Sequence, residues 1–230
     1  MTGSARLYRI PQPAVGVPTF RELATAAYCP RKYYYRRRDS SDVEVPPAVE
    51  AKRDLAFAYP RLLDGDLTAE PIAVTPTRFR SRLSREKAGL DAWERLVEPT
   101  DRNAFLEGRD CRGIAHKLLE EPLAPSLVFT GAPPENGVWE PQSVRLVAAA
   151  LALAYERGQQ VPVAFAEYPA HGIIRRVPLS AHRRATYRSA LRTVESIDGP
   201  PPRVTNRNKC EPCEYREECG VRTRSLRSLL

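Results

Sequence analysis

The alternation of apolar and polar residues along the chain predicts a mixed α and β protein. Residues 144–157 are rich in alanine and leucine and end at Gly158, which is typical of a helix with a glycine at its C-terminus. Two short apolar runs, 161–168 and 172–179, predict strands. A basic amphipathic helix is predicted over 181–196.

The N-terminal half gives fewer local signals. Thr19 and Glu22 form a capping-box pattern that predicts a helix to about residue 27. Pro46 and Pro47 predict the start of a helix over 48–59, because proline is tolerated in a first turn. Residues 79–93 also have a helical pattern. We divide the chain into a poorly ordered extension (1–17), a helical region (18–107), an α/β core (108–199) and a cysteine-rich tail (200–230).

Composition limits the class of protein. The chain has 230 residues and no run of about 20 apolar residues, so we expect no membrane span. Its start lacks the pattern of a secretory signal, and we expect a cytoplasmic protein. Five cysteines are an odd number, and a reducing cytosol disfavours disulfides. Metal binding by four of them, with Cys111 left over, is the better interpretation.

Cys29 lies near the start of the chain, and Cys210, Cys213 and Cys219 form a C-x2-C-x5-C tail. Four thiolates complete a tetrahedral zinc site or the corners of a [4Fe-4S] cluster. Zinc ribbons usually pair two C-x2-C motifs, whereas one remote cysteine with a compact trio favours the iron–sulfur cluster. Zinc stays open as the alternative. Either metal would join the two ends of the chain.

The net charge of +8 is concentrated around the cysteines. The first basic run holds Arg31, Lys32, Arg36, Arg37 and Arg38, and the second holds Arg203, Arg207, Lys209, Arg216, Arg222, Arg224 and Arg227. If the cysteines meet, both runs form one patch suited to polyanions. Tyr33, Tyr34 and Tyr35 could stack on bases or pack around the metal. A codon bias towards arginine is an alternative explanation for the high arginine content.

Residues 17–35, with Cys29 followed by Pro-Arg-Lys and aromatics, resemble the opening of the CRISPR-associated RecB-type exonucleases, the Cas-four family. The segment 209–219 is similar to their C-terminal cysteine motif. Gln142 and the helix that follows it resemble their post-catalytic helix, and residues 165–179 resemble their closing strands. Residues 39–107 match poorly. The resemblance implies a restriction-endonuclease-like (PD-(D/E)XK) α/β core whose ends are joined by a [4Fe-4S] cluster. It also implies DNA and CRISPR adaptation integrase proteins as partners, although related AddB-type helicase subunits share the cluster.

The resemblance further implies a catalytic Asp, a Glu, and a Lys two residues after the Glu. Their best matches here are His116, Leu127 and Phe129. Phosphodiester hydrolysis needs metal ions held by carboxylates, and these side chains cannot replace them. We therefore expect a degenerate core that binds DNA, through the first basic run and Gln142, without cutting it.

Two alternatives stay open. Asp42, Glu50 and Lys52 match a loose Asp-x7-Glu-x-Lys pattern and could make the chain an active metal-dependent single-strand exonuclease, although Glu50 and Lys52 fall in a predicted helix. The second alternative is a zinc-stapled structural module with no DNA role. His116, His171 and His182 lack the spacing of metal ligands, Cys111 lacks the partners of a nucleophile, and no phosphate-binding loop motif occurs.

Overall fold

A five-stranded, mostly antiparallel sheet forms the centre of the protein. The computed structural model describes residues 16–39 and 45–220. The strands are β1 (Asp101–Glu107), β2 (Arg112–Glu120), β3 (Leu123–Val128), β4 (Val163–Tyr168) and β5 (Ile173–Pro178). They lie in sequence order, and only β3 and β4 are parallel. That parallel pair requires a crossover connection, which a long helix supplies.

Eight α-helices surround the sheet within the described residues. They are α1 (Phe20–Tyr28), α2 (Pro30–Arg38), α3 (Pro47–Asp54), α4 (Tyr59–Asp64), α5 (Pro76–Gly89), α6 (Trp93–Val97), α7 (Glu140–Arg157) and α8 (Ala181–Ser196). Helix α7 is the crossover between β3 and β4. None of the described helices combines the length and apolarity needed to cross a bilayer.

The sheet separates two apolar cores. Helices α1, α7 and α8 cover one face, where Leu23, Val147 and Tyr187 pack on strand residues such as Leu127. On the other face the second core is built by residues of α4, α5 and α6, including Phe79, together with strand residues. Every residue of β4 is buried, because both faces of this strand are covered.

Strong local signals predicted several elements correctly. The capping box at α1 is present, with the Glu22 amide donating to Thr19 Oγ1 at 3.1 Å and the Thr19 amide donating to Glu22 Oε2 at 2.7 Å. Helix α8 has its predicted bounds, and Gly158 ends α7 with a left-handed φ of 60°. Helix α7 starts at Glu140, four residues before the predicted start at 144, because Pro141 lies in its first turn.

Other elements differ from the predictions. The helix predicted over 79–93 is confirmed as far as Gly89, where α5 ends, and a separate helix, α6, starts at Trp93. Helix α2 was not predicted, since aromatic and basic residues alternate without an apolar face. The sheet starts with β1 at Asp101, earlier than the predicted core boundary at 108. Most of the predicted extension 1–17, and also Asp42, Arg222, Arg224 and Arg227, lie outside the described residues.

Candidate metal centre and candidate nucleic-acid interface

The four cysteines of the predicted metal site line one pocket. Cys29 is the junction of two helices, because it ends α1 and precedes Pro30 at the start of α2. Cys210 follows a short 3-10 helix, Arg207–Lys209, and turns carry Cys213 and Cys219 to the same pocket. All four are free thiols. The fold therefore brings the segment with Cys29 and the C-terminal cysteine tail together, as the cysteine pattern predicted.

Hydrogen bonds between the two chain ends hold this pocket together. The Tyr28 hydroxyl donates to the Lys209 carbonyl at 3.2 Å, and Lys209 Nζ donates back to the Tyr28 carbonyl at 2.9 Å. The Tyr35 hydroxyl donates to the Glu218 carbonyl at 3.1 Å, and its ring stacks on Tyr215 with centroids 5.9 Å apart. The tail is thus fixed to α1 and α2 by groups other than the thiols.

Thiols are suitable ligands for both metals considered from the sequence. Burial raises the pKa of Cys213, whereas the Tyr215 backbone amide and the nearby Lys32 ammonium oppose this shift. Burial also raises the pKa of Tyr28, and the charges of Cys213 and Cys29 raise it by smaller amounts. Within the described residues, no group of three His, Cys, Asp or Glu side chains is placed so that it could hold a metal ion. The four thiols share a pocket without forming such a group.

Two members of the first basic run bind the C-terminal tail. Arg31 donates to the Pro201 carbonyl at 3.0 Å and Lys32 pairs with Glu214 at 2.7 Å, so both help to hold the tail. The remaining arginines lie at the end of α2, where Arg37 and Arg38 are exposed and Arg36 is half-buried. Arg37 and Arg38 are therefore the most exposed members of the run.

The three adjacent tyrosines have different environments. Tyr33 is buried in the core. Tyr34 accepts a hydrogen bond from Arg38 at 2.9 Å and lies under its guanidinium, and Tyr35 stacks on Tyr215. Packing inside the protein therefore accounts for Tyr33 and Tyr35, of which Tyr35 lines the cysteine pocket.

The positions matched to the catalytic residues lie on neighbouring strands. His116 is on β2, Leu127 is on the adjacent antiparallel strand β3, and Phe129 directly follows β3. The Val128 amide donates to His116 Nδ1 at 3.1 Å, which joins the two strands. All three side chains are buried, with His116 only 7% exposed. The place is thus filled by one imidazole and two apolar side chains.

The imidazole of His116 is neutral at neutral pH. Burial, together with the positive charges of Arg145, Arg53 and Lys117, lowers the pKa of His116 to about 3. Because Nδ1 accepts a hydrogen bond, the proton is on Nε2. No carboxylate is among the groups that shift this pKa. The charge around His116 is therefore positive, opposite to that of a magnesium site.

Gln142 caps α7 from its third helical position. Its Oε1 accepts from the Trp139 amide at 3.2 Å and from the Tyr168 hydroxyl at 2.5 Å. Both bonds are internal, and they fix the start of α7 against the end of β4. The side chain predicted to bind nucleic acid is thereby placed close to Phe129, whose ring packs on Tyr168 at 5.7 Å.

Arg21, Arg53 and Arg145 were not predicted as site residues. The guanidinium of Arg145 lies over the Phe129 ring, 5.2 Å from its centroid. Arg21 on α1 and Arg53 on α3 are near enough for their charges to lower the pKa of Arg145. The one signal in the sequence is Arg145 itself, a charged residue in a helix that is otherwise buried along most of its length.

The other feature missed from the sequence is a buried ion pair between β2 and β4. Lys117 Nζ lies 2.7 Å from Glu167 Oε2, and both side chains are 0% exposed. Lys117 also donates to the Ala56 and Leu96 carbonyls at 2.6 and 2.8 Å, and Ser126 Oγ donates to Glu167 at 2.5 Å. Burial lowers the pKa of Lys117, and Glu167 opposes that shift. This network ties the helical region to the sheet.

Two of the three residues of the alternative catalytic set lie on a helix. Glu50 and Lys52 are on α3, as the helix prediction required, and Glu50 is exposed. Asp42 is outside the described residues.

The remaining thiol and histidines lie apart from the cysteine pocket. Cys111 is a core thiol that contacts the Ala148 carbonyl at 3.4 Å, and burial raises its pKa to about 12. His171 is half-buried in a short 3-10 helix, and His182 is exposed on α8.

Comparison with known proteins does not add a family. No protein-family model matches the chain, and no curated protein matches it in sequence. The functional assignment therefore depends on the cysteine pocket, the residues around His116 and the resemblance at the two chain ends.

Proposed function

We propose that this chain is an iron–sulfur protein with a nuclease-type fold that binds DNA without cutting it. In this proposal Cys29, Cys210, Cys213 and Cys219 hold a [4Fe-4S] cluster that joins the chain ends. The core is restriction-endonuclease-like and lacks the carboxylates that hold magnesium. By resemblance, the protein acts in CRISPR spacer acquisition, beside the integrase, where it holds DNA or a DNA-processing complex.

The observation that carries the proposal is the cysteine pocket. Four thiols from opposite ends of the chain line it, and they match the four ligands that one cubane cluster requires. When bound, the cluster would supply a structural staple, since metal-binding free energy becomes folding free energy. Lys209 and Tyr28 hold the same two segments together by hydrogen bonds.

The neighbouring strands β2 and β3 support the loss of catalysis. A metal-dependent nuclease needs its carboxylates side by side, and residues 116 and 127 are on adjacent strands as the resemblance requires. The side chains at these positions are an imidazole that stays neutral and a leucine, and Phe129 replaces the lysine. None of the three can hold magnesium through oxygen, which is the ligand it prefers.

DNA binding can be tested through its salt dependence. Replacement of Arg36, Arg37 and Arg38 by glutamine should flatten the plot of log affinity against log salt, by about 0.7 to 0.9 for each phosphate that is no longer neutralised. Fluorescence anisotropy with a labelled oligonucleotide would measure the slope. Arg78, Arg85 and Lys87 are exposed on α5 and carry the same charge, so their replacement by glutamine is the matched control.

The control variant should keep the slope of the unmodified protein, because α5 covers the opposite face of the sheet from α1 and α7. Equal slopes for both variants would remove the end of α2 from the interface. Failure of the unmodified protein to bind DNA at low salt would contradict the proposed function itself.

A further inference from the structure

Helix α1 packs along α7, and three arginines from α1, α3 and α7 are near enough to one another for their charges to interact. Arg145 on α7 lies over Phe129, and its buried Nε has no hydrogen-bond partner among the described residues. Arg21 on α1 and Arg53 on α3 act on Arg145 through their charges. None of the three takes part in an ion pair between described residues. The half-buried Arg145 guanidinium therefore has an unpartnered Nε and two like charges near it.

This arrangement is unfavourable for the protein without a ligand. Burial lowers the pKa of Arg145 to about 10, and the positive charges of Arg21 and Arg53 contribute to the shift. Arg21 is exposed on α1, and its pKa is lowered by the partial desolvation of its guanidinium and by the charges of Arg36 and Arg53, whereas Glu214 opposes the shift. A charge that is partly removed from water without a partner costs stability. Such groups are concentrated where a ligand supplies the missing charge.

The chemistry of the ligand follows from the donors. Guanidinium groups present planar forks that bind phosphate oxygens in pairs, and hydrogen bonds between charged groups are about twice as strong as neutral ones. The buried surface beside them is neutral, with His116 uncharged and Leu127 and Phe129 apolar. A divalent cation would be repelled by three positive charges. An anion with several oxygens satisfies the donors and cancels the repulsion.

We propose that Arg21, Arg53 and Arg145 form one anion site, which binds a backbone phosphate of nucleic acid beside His116 and Phe129. The identification of nucleic acid as the source of the phosphate rests on the proposed function above. The anion site itself rests on the three arginines alone. In this proposal, the position that holds a magnesium cation in the active enzymes binds an anion in this protein.

The test uses Arg145→Gln, Arg53→Gln and the control Arg85→Gln, all in the metal-loaded protein. Thermal unfolding is measured with and without inorganic phosphate, and affinity for a single-stranded oligonucleotide is measured at low salt. Each site variant should lose the phosphate-dependent rise in unfolding temperature and bind DNA about tenfold or more weakly, as expected when a charged hydrogen bond is removed. Arg85 is exposed on α5, and its replacement should change neither quantity.

A purely structural arginine would give a different pattern. Without phosphate, Arg145→Gln should unfold at or above the temperature of the unmodified protein, because one uncompensated charge is removed. A lower unfolding temperature together with unchanged phosphate stabilisation would overturn the anion site. Arg53→Gln provides the same readout at a second position, so that a folding defect of one variant does not decide the result.

The two proposals can fail separately. If both site variants keep full DNA affinity and full stabilisation by phosphate, the anion site is wrong, while DNA binding through the end of α2 stands. If phosphate stabilises the protein through Arg145 and Arg53 but no oligonucleotide binds at low salt, the anion site stands. Its ligand is then a free phosphate, and the nucleic-acid part of the proposal is wrong.

Discussion

Replacement of any one cluster cysteine by alanine should remove most of the iron from protein purified without oxygen. The intact protein should be brown and contain about four irons per chain, as one cubane cluster requires. Cys29, Cys210, Cys213 and Cys219 line the same pocket, so each variant leaves only three thiolates. Iron and sulfide analysis and the broad absorption at roughly 400 nm would measure the loss.

Cys111→Ala is the matched control for this experiment. Its thiol is buried against the Ala148 carbonyl in the core under α7, and it does not line the cysteine pocket. The control should therefore keep its iron. Stoichiometric zinc without iron would contradict the cluster and leave the cysteine staple in place. Loss of iron in Cys111→Ala, but not in Cys29→Ala, would contradict the ligand set.

Lys117→Met should lower the free energy of unfolding by about 3 to 5 kcal/mol, the usual effect of removing one partner from a buried ion pair. The change leaves the Glu167 carboxyl 0% exposed and without its ammonium partner, with Ser126 Oγ still donating a hydrogen bond. It also leaves the Ala56 and Leu96 carbonyls without the ammonium. At about 2 to 4 °C for each kcal/mol in a chain of this size, the unfolding temperature should fall by roughly 6 to 20 °C.

Two controls separate the buried charge from a general loss of packing. The double variant Lys117→Met with Glu167→Met should recover most of the stability, because no uncompensated charge remains. Arg95→Met breaks an exposed pair with Glu121, and it should have almost no effect. Equal unfolding temperatures for Lys117→Met and Arg95→Met would contradict the structural role of the buried pair.

Local sequence signals were sufficient for several elements of the fold. The capping box of α1, the glycine that ends α7 and the amphipathic pattern of α8 each act within a few residues. Strand β1 was missed because most of its residues are exposed, so it lacks a buried apolar pattern. Helix α2 was missed because tertiary packing of Tyr33, rather than an apolar stripe, accounts for its burial.

The candidate site was predicted only where residue identity restricts the chemistry. Four cysteines that are not expected to form disulfides predict one shared metal site, and the four thiols do line one pocket. The arginine cluster was not predictable, because Arg21, Arg53 and Arg145 come from three helices whose packing no spacing rule encodes. The same holds for Lys117 and Glu167, which are fifty residues apart on strands that are not adjacent. Both features depend on three-dimensional arrangement.

The central claim is that the protein binds DNA and leaves it intact. The most direct measurement incubates cluster-loaded protein, in excess over DNA ends, with labelled single- and double-stranded DNA and magnesium or manganese. Binding without shortening of either substrate is the predicted result, because His116, Leu127 and Phe129 cannot hold the metal. Glu50→Gln with Lys52→Ala is the control for the alternative set on α3. The account would be contradicted if the unmodified protein degraded DNA in the presence of metal and the double variant did not.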